Sequence, residues 1–255
     1  MTEAGHVPDH EAGHVPDPAE VRGALDLLAG ISQPLALALG EGCEVVVHDL
    51  TNLDNSVYAI AGGVTGRSVG APPTNLLLQH VLDGAEDDII GYPTVLPGER
   101  TGRSSTIIVR EPGTGAPMAA LCLNIDVTNV SIAHELLGSL LETTTPATEQ
   151  NAAAEQNAAA EGSERSEGSD THEVFPRTVG DLTDQIVAEV IQGAGVPVGL
   201  MKKSHKLEVV AELDRRGVFQ VKEAVAEVAS ALDVTRFTIY NYLNELHARA
   251  SEGQS

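Results

Sequence analysis

Apolar residues recur at helical spacing near the end of the chain. Val221, Ala224, Val225, Val228, Ala229 and Leu232 follow an i, i+3, i+4 rhythm that predicts one helix with a continuous buried stripe. Lys222, Glu223 and Glu227 fall on its wet side, and Asp233 and Val234 break the period. Thr235 is placed to cap a following helix through its hydroxyl. In that helix Ile239, Tyr242, Leu243 and Leu246 share an inward face. Thr235, Arg236, Phe237, Tyr240, Asn241 and Asn244 share the outward one. Upstream, Leu182, Ile186, Val187 and Val190 predict a helix ended by Gly193, Gly195 and Pro197. Leu207, Val210, Ala211 and Leu213 predict another, closed by Gly217. Residues 172–250 therefore read as an all-helical unit.

The pattern differs over 19–142. Leu25, Leu28 and Ile31 predict a helix ending near Ser32, with Pro34 in the first turn of a second helix capped by Ser32. Short apolar runs predict strands at Cys43–Leu50, Val57–Ala61, Ser105–Arg110 and Met118–Ile125. Glu111-Pro112-Gly113-Thr114-Gly115 is a hairpin signal between the last two. Val130–Leu141 reads as a closing helix with an apolar face of Ile132, Leu136, Leu137 and Leu140. Hairpin-linked strands bracketed by helices imply an α+β unit with an antiparallel sheet.

Two segments carry no period. Residues 1–18 hold a near-tandem duplication, Glu3-Ala4-Gly5-His6-Val7-Pro8-Asp9 and Glu11-Ala12-Gly13-His14-Val15-Pro16-Asp17, and read as a disordered arm. Residues 143–171 repeat Glu-Gln-Asn-Ala-Ala-Ala and Glu-Gly-Ser, with no apolar residue larger than Ala in the repeats to bury. They read as a flexible linker spanning roughly 30 Å.

Composition narrows the picture. The chain has 255 residues and 42% hydrophobic content, enough for two small domains. No run reaches the length of a membrane span. Cys43 and Cys122 alone suggest a reduced, cytoplasmic setting rather than a disulfide framework. Aromatics are 3% and Trp is absent, so cores must come from Val, Leu, Ile and Ala. The net charge of −22 opposes nucleic-acid binding taken as a whole. Its distribution removes much of that objection. Residues 1–171 carry six basic against twenty-five acidic groups, whereas residues 201–250 carry eight against seven.

A helix, a short break and a second helix with a polar face at its start is the layout of a DNA-binding helix-turn-helix. Arg236 suits bidentate pairing with guanine and Asn241 with adenine, while Phe237 or Tyr240 suits a thymine methyl or a phosphate. A plain αα-hairpin would place Glu, Lys or Gln where this chain has two aromatics and an Arg. Lys202, Lys203 and Lys206 cluster where they either reach a phosphate backbone or form an ordinary solvated helix start.

Both halves resemble one family, the bacterial regulators with a YheO-like PAS domain followed by a helix-turn-helix. In the first half the likeness rests on Ser56-Val57-Tyr58-Ala59-Ile60-Ala61-Gly62-Gly63-Val64-Thr65-Gly66-Arg67-Ser68-Val69-Gly70. It continues in Gly102-Arg103-Ser104-Ser105-Thr106 and Leu121-Cys122-Leu123-Asn124-Ile125-Asp126. In the second it rests on Gly217-Val218-Phe219 and the helix-turn-helix. The chain departs from its relatives at Gly62-Gly63, where they tend to carry an Asn and one more residue, and in its longer, repetitive linker. The resemblance implies a five-stranded antiparallel PAS-like sheet flanked by helices. It implies further that the first half senses something while the second reads DNA.

Candidate ligand-binding residues are Arg67, Arg103, Ser105, Asn124 and Asp126. Arg67 and Arg103 both follow glycine, a guanidinium fork suits a carboxylate or phosphate, and Ser104, Ser105 and Thr106 add hydroxyls. The alternatives are structural: an Arg67 or Arg103 pair with Asp126 that pins a loop, and capping of the last helix by Asn124 or Asp126. Cys122, in an apolar strand, reads as core. His48, His80 and His134 are isolated, so no metal site is expected, and no cofactor signature occurs. The expectation is a non-enzymatic regulator that binds operator DNA as a homodimer and answers to a small metabolite. The alternatives are a helical partner-binding or assembly protein without DNA affinity, and an enzyme using Cys122 or Ser105.

Overall fold

The computed structural model describes residues 15–142, 173–221 and 223–252. The expected arm at 1–18 is described only from residue 15, and the expected linker at 143–171 lies outside the described residues.

Helix α1 (Pro18–Leu39) opens with Asp17 accepting from the Ala19 N–H at 2.8 Å, and Pro18 sits at its first position. The expected break near Ser32 does not occur. Val21, Leu25, Leu28, Ser32 and Ala36 are buried at one continuous helical rhythm that passes through Pro34. The Ser32 hydroxyl donates back to the Ala29 carbonyl at 2.9 Å instead of capping a new helix. An internal proline costs about 3 kcal/mol, and burial on both sides of it outweighs that. The helix stops at Gly40, whose φ is +95°.

Strands β1 (Cys43–Asp49), β2 (Val57–Ala61), β3 (Ile89–Leu96), β4 (Arg100–Arg110) and β5 (Pro117–Asp126) form one sheet in the order β2-β1-β5-β4-β3. Every neighbouring pair is antiparallel. The β4–β5 hairpin turns where the Glu111-to-Gly115 signal sits. Two elements were not foreseen, β3 and helix α2 (Asn75–Leu82). Pro93 argues against a strand, yet β3 lies at the sheet edge, where a missing N–H is tolerated. Helix α2 is only eight residues long, capped by Thr74 accepting from the Leu77 N–H at 3.1 Å.

Alternation along the strands divides the sheet into two faces. Val45, Val47, Ala119 and Leu121 pack under Val21, Leu25 and Leu28 of α1. Val46, Ala120, Cys122 and Ile108 pack with Leu77 of α2. Helix α3 (Thr128–Glu142) follows β5. Its apolar stripe does not close onto the sheet as a buried face. Val130, Ile132, Leu136, Leu137 and Leu140 are all at least half exposed, because α3 runs past the sheet and touches chiefly β4.

The second unit holds helices α4 (Val179–Gly193), α5 (Lys203–Arg215), α6 (Ala224–Ala231) and α7 (Arg236–Glu252). Thr178 and Asp181 form a reciprocal capping box at the start of α4. Gly217 follows α5 in the left-handed conformation and lies against Leu78 and Leu82 of α2, where a side chain would collide. Leu78 is fully buried in the core of this helical unit, beside Leu182, Val210, Leu213 and Val228. The two units therefore share apolar packing through α2.

Candidate DNA-binding surface and sensor pocket

The α6–α7 turn is built from backbone chemistry that the sequence encodes. Asp233 has φ +50°. The Val234 N–H donates to the Ala229 carbonyl at 2.9 Å and the Asp233 N–H to the Ser230 carbonyl at 3.2 Å. These two bonds make a Schellman motif with Asp, rather than Gly, in the left-handed position. Asp tolerates that conformation better than most residues. Lys206 of α5 donates to the Leu232 carbonyl at 2.6 Å, so a cation sits at the negative end of α6. Thr235 then accepts from the Thr238 N–H at 3.2 Å and caps α7. Helix α6 is shorter than expected: Val221 is buried ahead of it, and Glu223 adopts φ +68° at its N-cap.

Ile239 and Tyr242 of α7 are buried, with Leu243 and Leu246 packed partly against the same core. Thr235, Arg236, Asn241 and Asn244 are exposed, Phe237 is 72% exposed and Tyr240 54% exposed. All six outward residues thus lie on one open surface. Lys203 pairs with Glu245 at 2.8 Å, and Glu245 also takes Arg249 at 2.6 Å. That pairing, with Lys206 engaged at the turn, leaves Lys202 as an exposed cation of the expected cluster.

In the first unit, five residues expected together are divided. Arg103 is exposed and bonds the Gly91 carbonyl at 3.3 Å, and the Ser105 hydroxyl accepts from the Gly91 N–H at 2.9 Å. Both lie on the opposite side of β4 from buried Ser104 and Thr106. Asp126 pairs with Arg100 at 2.7 Å, rather than with Arg67 or Arg103, and accepts from the Thr128 N–H at 3.0 Å to cap α3. Bonds from Thr128, then from Arg100, hold its carboxyl below the usual range.

Asn124 and Arg67 belong to the α2 side. Ser104 donates to Asn124 Oδ1 at 2.9 Å, and Asn124 Nδ2 donates to Glu44 Oε1 at 3.2 Å. Glu44 is completely buried and also takes the Thr65 hydroxyl at 2.7 Å and the N–H groups of Val64 and Thr65 at 2.9 and 3.0 Å. This fully satisfied network pins the loop that carries Arg67. The loop begins at Gly62, φ +96°, where a Cβ would strike the Cys43 carbonyl. Gly62 thus sits where the backbone crosses β1 in close contact.

Arg67 is buried, and desolvation lowers its pKa. Near it are Cys122, Glu44, Glu173 and Tyr92. Phe175 lies 5.6 Å from its guanidinium. His48, also buried, shares a 2.9 Å hydrogen bond with Ser56, and burial followed by the Arg67 charge keeps its pKa well below normal. The Cys122 thiol is buried, and that burial pushes its pKa up to about 11. Glu44, Tyr92 and Glu173 were missed by reading the sequence, and His48 was read there only as isolated. Glu44 left a trace, a lone carboxylate inside an apolar run. Glu173-Val174-Phe175-Pro176 left another, an apolar island after a polar linker.

Known proteins supply a second line of evidence. The model of the YheO-like PAS domain matches residues 19–142, and a helix-turn-helix domain model matches residues 182–244. An uncharacterized protein of Haemophilus influenzae is 28% identical over 211 residues, covering 82% of this chain and 84% of its own. The uncharacterized protein YheO of Escherichia coli is 25% identical over 224 residues, 86% of this chain and 83% of its own. The transcriptional regulator DauR of Pseudomonas aeruginosa is 25% identical over 225 residues, 88% of this chain and 94% of its own. The chain thus joins a match to the YheO-like PAS domain model with a match to a helix-turn-helix domain model, and it is a homologue of YheO and DauR.

Proposed function

We propose that this chain is a cytoplasmic transcriptional regulator in which α7 enters the major groove of operator DNA and the PAS domain senses a small molecule. One observation carries the reading. Arg236, Phe237, Tyr240, Asn241 and Asn244 stand exposed at the start of a helix whose other face is locked into a core. Such a surface has no packing role, and its chemistry suits base edges and phosphates. DauR, a named transcriptional regulator matched along nearly its whole length, supports the assignment. Among the described residues no helix is long and apolar enough to cross a membrane.

Binding as a homodimer is part of the proposal. The α3 stripe of Val130, Ile132, Leu136 and Leu137 is exposed in a single copy, and a second copy would cover it. Two α7 helices could then address half-sites about 34 Å apart. The test is retention of specific genomic fragments by the purified chain. Affinity that falls steeply as salt rises supports the reading. Absence of retention at low ionic strength leaves the acidic chain as a partner-binding protein instead.

A further inference from the structure

The segment just ahead of α4 enters the PAS domain. The Val174 N–H donates to Asn75 Oδ1 at 2.8 Å, and Tyr92 donates to Glu173 Oε1 at 3.2 Å. Thr94 and Thr74 lie near the same carboxylate, and the buried Thr94 hydroxyl has no hydrogen-bond partner. Phe175 covers the Arg67 guanidinium, and the Arg177 guanidinium lies over Gly66. Glu173 and Arg67 are 8% and 7% exposed, so a carboxylate and a guanidinium are buried in one pocket.

The match between them is incomplete. Glu173 Oε2 and Arg67 Nε are both buried without a hydrogen-bond partner. An Arg fork binds a carboxylate best through two parallel bonds, and a buried charge left short of partners is costly. Burial raises the Glu173 pKa, against the hydroxyls and Arg67 that lower it. The pocket thus has donors for a carboxylate that the tethered Glu173 satisfies only in part. Asn75, which holds the segment, shares α2 with Leu78, which sits in the helix-turn-helix core.

We propose that the pocket formed by Arg67, Asn75, Thr74, Tyr92 and Thr94 is a receptor site for a small organic carboxylate, filled in cis by Glu173 and in trans by the free acid, which expels the Glu173–Phe175 segment. The inference rests on the reading of the PAS domain as a sensor and gives the class of its ligand. Expulsion would loosen the path from Asn75 to α4 and change the placement of the helix-turn-helix. A free ligand able to engage the unpartnered Arg67 Nε gains what Glu173 lacks, and that difference between bound and unbound states is what a switch requires.

The experiment uses the full chain and needs no DNA, so its failure is distinguishable from failure of the operator-binding reading. Glu173→Ala empties the carboxylate position, and acetate is the probe. Trypsin cleavage after Arg177 reports release of the segment. The variant is cut at least several-fold faster than the parent chain. Acetate at tens of millimolar speeds cutting of the parent chain toward the rate of the variant, whereas acetamide or chloride at equal concentration does not. Arg67→Met in the parent chain removes the acetate effect. Propionate repeats the test on the parent chain, so it does not depend on the folding of the alanine variant. Acceleration that acetamide gives equally, that survives Arg67→Met, or that neither acetate nor propionate produces overturns the proposal.

Discussion

The Lys206 ammonium donates to the carbonyl of Leu232 at 2.6 Å, tying α5 to the turn between α6 and α7. This bond fixes the angle at which α7 leaves the core. Lys206→Met is expected to destabilise the chain by about 1.5–3 kcal/mol, the worth of a charge-assisted bond. DNA affinity falls with it, but the slope of affinity against salt stays unchanged. A slope reduced by about one would instead make Lys206 a phosphate contact.

Leu78 gives a second prediction. It belongs to α2 by sequence and to the helix-turn-helix core by packing. Leu78→Ala is expected to cost about 2–5 kcal/mol. Scanning calorimetry should show the parent chain melting in one transition and the variant in two, as the shared packing is lost. A single transition in the variant would mean that α2 does not join the units.

These two contacts show what the sequence carried and what it did not. The periodicity of Val228, Leu232, Ile239 and Tyr242 placed the helix-turn-helix, because local spacing decides which helix face is buried. The outward set from Thr235 to Asn244 followed from the same rhythm. Leu78 was invisible, since nothing in an eight-residue helix says which of two cores its apolar residues enter. Strand β3 was hidden by Pro93, which only edge placement permits. The grouping of Arg67 with Glu173 depends on a chain return across the sheet, so no local pattern announces it. The separation of Ser105 from Thr106 was open to reading from strand alternation once β4 was extended back to Arg100.

The exposed stripe on α3 predicts the state of association. Leu136→Glu combined with Leu137→Glu should turn a sedimenting dimer into a monomer without lowering the helical content, because both side chains are solvent-exposed in the single copy. A dimer that persists unchanged places the interface elsewhere.

His48 makes stability depend on pH. Its pKa is depressed in the fold by burial and then by Arg67. The unfolded chain takes up a proton near pH 6.5, and the folded chain does not. Stability from this group is therefore full above about pH 6.5 and declines as pH falls, by up to about 1.4 kcal/mol per pH unit. Denaturant unfolding from pH 8 to 5 should show the decline, and His48→Gln should flatten it relative to the parent chain. Parallel curves would contradict a neutral buried imidazole.

The most direct measurement is a gel-shift titration of the parent chain and Arg236→Ala against an operator fragment, with dimer content checked in parallel. A guanine contact by the exposed Arg236 predicts specific affinity lower by roughly ten- to a hundred-fold, with the dimer intact. Equal affinities of the two proteins for that fragment would contradict the placement of α7 in the groove.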